Sequence, residues 1–187
     1  MTAVAAVILA AGLGRRFGKP KVTARLGDRT FLGRVVELAR DAGLDPIIAV
    51  VPAGLQPRSG VRAVVNSHPD RGLSSSLQLG IAAVPPGTAA LVLLVDQPTL
   101  ARASIDAVLT ARGTRAIVAA EAGGRLAPPA LIEPEAFGVV ATLSGDIGLR
   151  EILRAHPERV WAARVPAHAP DVDTAADLAA LEARLES

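Results

Sequence analysis

The chain has 187 residues, half of them hydrophobic, with a formal net charge of +2 and no cysteine. That length supports one domain with a substantial core, and the absence of cysteine excludes disulfides and thiolate metal sites. Near-neutral charge and only four aromatic residues, Phe17, Phe31, Phe137 and Trp161, argue against a nucleic-acid-binding surface. His68, His156 and His168 are scattered without metal-ligand spacing. The opening run from Thr2 to Ala11 is apolar but short, with no basic residue ahead of it, so it reads neither as a membrane span nor as a secretory signal. The expectation is a cytoplasmic, soluble protein with an aliphatic core.

Taken in order, apolar runs alternate with segments of helical period, the pattern of an α/β fold with a largely parallel sheet. A strand is expected over Ala3 to Ala10, a helix from Phe31 to Ala42 stopped by Gly43, and strands at Pro46 to Val51 and Val61 to Val65. A helix then spans Leu73 to Ala83, a buried central strand Ala89 to Val95, a helix Ile105 to Ala111 and a strand Ala116 to Ala120. Leu131 closes a short strand after Pro128-Pro129, a helix covers Gly145 to Ala155, a strand Val160 to Val165, and a last helix Thr174 to Leu185. Thr174 and Asp177 have the spacing of a capping box, with Asp in place of Glu. No repeat or linker divides the chain, so one domain spans residues 1–187.

The first strand runs into Gly12-Leu13-Gly14-Arg15-Arg16-Phe17-Gly18-Lys19-Pro20-Lys21, a glycine-rich turn with four cations in its last seven residues. Glycines let backbone N–H groups approach an anion, and the cations neutralise it, so a polyphosphate is the natural guest. Two familiar loops fail the spacing. Gly12 and Gly18 are separated by five residues and Lys19 is followed by Pro20, which does not give GxxxxGK with Ser or Thr. The third glycine of GxGxxG falls one place late, and the next strand ends at Pro52-Ala53 without an acid.

Further along, the central strand ends in Asp96-Gln97-Pro98. A carboxylate at the end of a buried strand needs a positive partner; it either caps a helix beginning near Ala101 or binds magnesium, which prefers one or two carboxylates plus substrate phosphates. Asp173, in Asp171-Val172-Asp173-Thr174, makes a good helix start. Asn66 and the run Ser74-Ser75-Ser76 at a helix head offer amide, hydroxyl and N–H groups to a ligand. All these positions fall at strand ends, where open α/β sheets bind ligands.

Leu9-Ala10-Ala11-Gly12, Arg16, Gly18 and Lys21 match the pattern LAAGxSxRxGxxK in register, with Gly14 in place of the serine. The chain thereby resembles the MobA-like nucleotide transferases, and among them the molybdenum cofactor cytidylyltransferases. The Asp-x-Pro turn, the Asn66 to Leu77 stretch and Gly145-Asp146-Ile147-Gly148-Leu149-Arg150 resemble segments of the same branch. The resemblance implies a three-layer α/β/α sandwich of the nucleotide-diphospho-sugar transferase type, Rossmann-like and mostly parallel. It implies a Mg2+-dependent transfer of CMP from CTP to the phosphate of molybdopterin, with a molybdenum hydroxylase as eventual recipient. Arg16, Lys21 and Asp96 would be catalytic, Asp96 and Asp173 would hold the metal, and Leu9, Ala10, Ala11, Gly12, Gly14, Asn66, Ser75 and Ser76 would contact the nucleotide. Ala11 resembles the cytidylyl-transferring branch, where guanylyl-transferring relatives carry glycine. Ala127-Pro128-Pro129 replaces the Gly-His-Pro of close relatives, which leaves open a sugar phosphate or another small phosphorylated acceptor. A nucleotide-cofactor carrier that performs no transfer is the reading outside enzymes.

Overall fold

A computed structural model describes residues 3–12, 14, 16–18, 20–57, 59–145 and 148–185. Arg15 and Lys19 of the basic turn, and Asp146-Ile147 of the Gly145 to Arg150 segment, lie outside the described residues. Seven of the strands form one sheet: β1 (Val4–Leu9), β4 (Ile47–Pro52), β5 (Arg62–Asn66), β6 (Ala89–Leu94), β7 (Ile117–Ala122), β8 (Arg125–Ile132) and β9 (Val160–Arg164), in the order β5-β4-β1-β6-β8-β7-β9. β2 (Arg25–Leu26) and β3 (Arg29–Thr30) make a separate two-stranded ribbon. β8 alone runs antiparallel to its neighbours, and the remaining pairs of the large sheet are parallel.

Strand side chains alternate between faces, and here both faces are covered. Ala6, Ile8, Leu91 and Leu93 pack with α1 (Phe31–Asp41), α3 (Arg102–Thr110) and α6 (Ala175–Leu185). Ala5, Val7, Ala90 and Val92 pack with α2 (Leu73–Ala82), α4 (Phe137–Ala141) and α5 (Leu149–Ala155). This is the expected three-layer α/β/α sandwich, and it explains why β1 and β6 read as unbroken apolar runs. On α2, Gly80 permits close approach to the sheet: a Cβ there would lie 2.5 Å from Val7 Cγ1.

Several boundaries differ from the sequence expectation. The strand near Leu131 begins at Arg125 and runs through both prolines. Ala119 pairs with Ala130 and Ala120 with Ala127, so Pro128 and Pro129 sit in a bulge where no ladder N–H is required. The helix expected from Gly145 starts at Leu149, with Gly148 as its N-cap. The β2–β3 ribbon and the five-residue α4 are too short to carry a readable period. Among the described residues, no helix is long and apolar enough to cross a membrane.

Candidate functional site

The chain leaves β1 for β4 on one side and returns to β6 on the other, which makes the β1 and β6 carboxyl ends a topological switch point. A backbone bond from Val95 N–H to the Leu9 carbonyl, 3.2 Å, ties these ends together. A cavity of about 600 Å³ opens there, and Leu9, Ala11, Gly12, Gly14, Arg16, Lys21, Ser76, Asp96 and Asp173 all line it. Ala10 packs in the core instead.

Gly14 and Gly18 adopt positive φ, at 57° and 78°, and the N–H groups of Phe17 and Gly18 both donate to the Gly14 carbonyl. Phe17 is buried against Phe31, with ring centroids 6.2 Å apart, which pins the turn from behind. Arg16, 75% exposed in its side chain, stays on the open side. A Cβ added at Gly12 would meet no protein atom within 4 Å. The protein's own packing thus leaves room at Gly12 for whatever approaches the loop. Lys21 opens a short 3-10 turn, Lys21–Thr23, whose Val22 is buried, so the ammonium points back to the cavity.

At the end of β6, the Asp96 carboxylate does not cap α3, whose N-cap Ala101 has no side-chain hydrogen bond. Lys21 Nζ instead donates to Asp96 Oδ2 at 3.0 Å and to Asp173 Oδ1 at 2.5 Å, and Arg16 donates to Asp173 Oδ2 at 3.1 Å. Val172 N–H donates to the Asp96 carbonyl at 2.8 Å, clipping the segment before α6 onto the β6 end. Val172 is buried while Asp171 and Asp173 both line the cavity, as alternation in an extended segment requires. Thr174 and Asp177 do form the reciprocal cap: Asp177 Oδ2 accepts from Thr174 N–H at 2.8 Å, and Thr174 Oγ1 accepts from Asp177 N–H at 3.1 Å.

One ammonium facing two acids shifts them in opposite directions. Burial raises the Asp96 carboxyl above its ordinary pKa, with Lys21 pulling the other way. The hydrogen bond from Lys21 holds Asp173 below its ordinary value, against a smaller effect of burial. Burial works against the Lys21 ammonium, but hydrogen bonds and charge from Asp173 and Asp96 outweigh it and raise its pKa. Asp96 Oδ1 is buried without a hydrogen-bond partner. Two carboxylates already spanned by a cation, one with an orphaned oxygen, form a donor set that suits a small hard cation together with phosphate oxygens. Among the described residues, no group of three or more acids, histidines or cysteines is arranged for a metal by itself.

The serine-rich segment is arranged differently. Asn66, only 2% exposed, donates through Nδ2 to Ser75 Oγ at 3.0 Å and Ser76 Oγ at 2.9 Å, and its Oδ1 accepts from His68 N–H at 2.9 Å. Ser74 and Ser75 donate to the Gly145 and Gly72 carbonyls. Among these residues Ser74, Ser75 and Asn66 are not on the cavity wall, whereas Ser76 is. Their hydroxyls and amide shape the approach to α2.

The sequence did not single out Asp171 or Gln97 as site residues, and it marked Arg150 only as the end of the Gly145 to Arg150 segment, which the resemblance sets near the acceptor side. Gln97 Nε2 donates to Asp171 Oδ1 at 2.9 Å, and Arg150, from the first turn of α5, donates to Asp171 Oδ2 at 3.2 Å. The available signal was an acid on each side of a single valine: whatever turns Asp173 toward the cavity turns Asp171 with it.

A family model described as the MobA-like NTP transferase domain matches residues 6–160. The chain belongs to the MobA-like NTP transferase family. Family membership makes it a nucleotidyltransferase. It is 32% identical over 169 residues to nicotine blue oxidoreductase of Paenarthrobacter nicotinovorans, covering 82% of this chain and 83% of that protein. It is 35% identical over 106 residues to a probable molybdenum cofactor guanylyltransferase of Opitutus terrae, covering 53% and 50%. The solved Rv0371c protein of Mycobacterium tuberculosis, a complex with manganese, superposes with a TM-score of 0.83 at 27% identity, covering 97% of this chain and 99% of that one.

Proposed function

We propose that this nucleotidyltransferase is magnesium-dependent and moves CMP from CTP to the phosphate of molybdopterin in the cytoplasm, releasing pyrophosphate. The observation that carries the reading is the Lys21 ammonium between Asp96 and Asp173, beside the open face of Gly12. In the reaction an acceptor phosphate oxygen bonds to the α-phosphorus while the bond to the departing pyrophosphate breaks. Such a transfer depends on positioning and charge neutralisation. Backbone N–H groups near Gly12 and Gly14 approach the phosphates, and Arg16 and Lys21 neutralise charge on them and on the leaving group. Asp96 and Asp173 are the residues to hold magnesium, which when bound draws charge from phosphate oxygens. An acceptor phosphate is already ionised at neutral pH, so no side chain need act as a base.

Ala11 lines the cavity and matches the alanine of the cytidylyl-transferring branch, which supports CTP. The guanylyltransferase relative makes GTP the competing nucleotide. The bulged Ala127-Pro128-Pro129 leaves a sugar phosphate or another small phosphorylated acceptor as the second reading. The test is the melting-temperature shift with each of the four nucleoside triphosphates, with and without magnesium. A ligand at about 100 times its Kd stabilises by roughly 2.7 kcal/mol, which is on the order of 5–10 °C for a domain of this size. A magnesium-dependent shift largest for CTP supports the proposal, and one largest for GTP overturns the choice of nucleotide. Pyrophosphate release that depends on molybdopterin then decides the acceptor; none, with nucleotide bound, would leave a carrier.

A further inference from the structure

Lys21 is the cation that joins Asp96 to Asp173, and it is also a cation that a triphosphate draws toward itself. When the ammonium turns to phosphate, the two carboxylates lose their shared partner and repel each other as like charges. For both to reach one ion, something other than Lys21 must hold them together. Their neighbours in the chain do so. The Asp96 carbonyl accepts from Val172 N–H at 2.8 Å, and the adjoining Gln97 donates through Nε2 to Asp171 Oδ1 at 2.9 Å. Two successive residues of the β6 turn thus grip two successive residues of the segment that carries Asp173. Neither bond involves Lys21.

The turn is itself fixed from behind. Arg34 of α1 donates through Nε to the Pro98 carbonyl at 3.1 Å, and Leu100 N–H donates to the Gln97 carbonyl at 3.1 Å. Gln97 is 1% exposed, too buried to touch a ligand. A carboxylate only accepts, so the amide must turn its nitrogen to Asp171, and Gln97 Oε1 is left buried without a partner. An orphaned buried oxygen is costly, and a residue that served packing alone would be apolar. The other oxygen of Asp171 accepts from Arg150 at 3.2 Å, but that ion pair is partly exposed and holds less firmly than the buried amide. With both oxygens engaged, Asp171 is a strut and not a metal ligand. We infer that Gln97 is a positioning residue: acting through Asp171, it keeps Asp96 and Asp173 within reach of one divalent ion after Lys21 has turned to the phosphates. The turning of Lys21 rests on the transferase reading above, whereas the hold of Gln97 on Asp171 does not.

The probe is Mn2+ without nucleotide, read by electron paramagnetic resonance of the free ion, across Lys21→Met, Gln97→Met and the double variant. While Lys21 bridges the acids, Gln97→Met should weaken Mn2+ less than about threefold. In the Lys21→Met background it should weaken Mn2+ at least about tenfold, the range for losing a partner that orients a metal ligand. General destabilisation would not depend on Lys21 in this way. In that background Asp171→Asn, which keeps an oxygen for the Gln97 amide, should cost less than about threefold, while Asp171→Ala should match Gln97→Met and leave it nothing to add. Melting curves identify a Gln97 variant that fails to fold, and the partly exposed Asp171 pair then decides, since equal Mn2+ affinities of the Asn and Ala variants overturn the inference. Losses from Gln97→Met that are equal in the two backgrounds overturn it as well, as does a Lys21→Met protein that binds no Mn2+. CTP titrated in EDTA tests the transferase reading separately: no binding there, with the Mn2+ coupling present, overturns that reading and leaves the hold of Gln97 on the acids supported.

Discussion

On the side of the cavity built from the β1 and β6 ends, charged groups from separate elements pair directly at the cavity wall: Lys21 spans Asp96 and Asp173, and Arg16 reaches Asp173 from the turn. On the side built from the approach to α2, the polar groups face inward, with Asn66 bonded to Ser75, Ser76 and the backbone of His68. The first arrangement keeps its charges available to a ligand. The second spends the Asn66 and Ser75 hydrogen bonds on a loop, and it is Asp70, Gly72, Leu73 and Ser76 that line the cavity there. Polar residues at a helix head thus carry different meanings according to whether their partners come from the same loop or from distant strands.

The contrast is sharpest in function at Asp96. Replacing it with Ala should lower turnover on the order of 10²–10³-fold, the range for losing one preorganised electrostatic group, with nucleotide affinity falling less than about tenfold. Initial rates of pyrophosphate release against a nucleotide titration separate the two. Parallel losses in rate and affinity would move Asp96 from the chemistry to simple binding. Asn66→Ala should show the opposite balance. Removing its amide strands the His68 N–H and unsettles two serines, at a cost of about 1–3 kcal/mol in stability, while turnover per folded molecule changes little. Denaturant midpoints and active-site titration decide it, and a large loss of nucleotide affinity with unchanged stability would place Asn66 on the ligand after all.

Lys21 sharpens the comparison through metal binding. Its ammonium and a divalent ion compete for the same carboxylate oxygens, so Lys21→Met should bind Mn2+ about tenfold more tightly in the absence of nucleotide, one unit charge removed from a partly buried site. The same variant should bind CTP more weakly, because a phosphate contact is gone. Electron paramagnetic resonance of free Mn2+ reads the first effect directly. Equal or weaker Mn2+ binding would mean that the carboxylates need the lysine to stay in place.

The difference in legibility between the two sides has a physical origin. Asp96 could be read because a carboxylate ending a buried run such as Leu91 to Val95 is costly without a cation, and the glycine turn supplied one seventy-five positions earlier in the chain. The alternating α/β pattern could be read because both faces of the sheet are covered, so each central strand is apolar throughout. Asp171, Gln97 and Arg150 could not be paired from sequence. Their contacts are set by the Val172 bond to the Asp96 carbonyl and by where α5 begins, neither of which leaves a periodic trace. The sequence reading began the Leu131 strand only after Pro128-Pro129, because the bulge that removes their need for N–H donors depends on β7.

Two glycines test packing against ligand access. Gly80→Ala forces a methyl against Val7 and should destabilise by about 1–3 kcal/mol, whereas a methyl at Gly12 meets no protein atom and should change stability by less than about 0.5 kcal/mol. Gly12→Ala should nevertheless weaken nucleotide, since the methyl fills the space beside the loop. Thermal melts with and without CTP distinguish the two. A Gly12→Ala protein that binds CTP normally would break the assignment of that loop to phosphates.

The smallest expected effect lies at Asp177, an exposed carboxylate that supports the charged side from outside the cavity. Its Oδ2 accepts from Asp173 N–H at 3.0 Å, Thr174 N–H at 2.8 Å and Thr174 Oγ1 at 2.9 Å. Those bonds, led by the Thr174 hydroxyl, hold its pKa below the ordinary carboxylate value. The folded state therefore prefers the ionised form, and the contribution to stability is fully present above the ordinary carboxylate pKa. As pH falls, the unfolded chain takes up the proton first; the contribution shrinks and is gone once pH passes below the native pKa. Melting temperatures of wild type and Asp177→Ala should thus differ most near neutral pH and converge on acidification. A gap that stays constant into acid would mean that the start of α6 depends on the shape of the cap and not on its charge, and Asp173 would then be held in place by Lys21 and Arg16 alone.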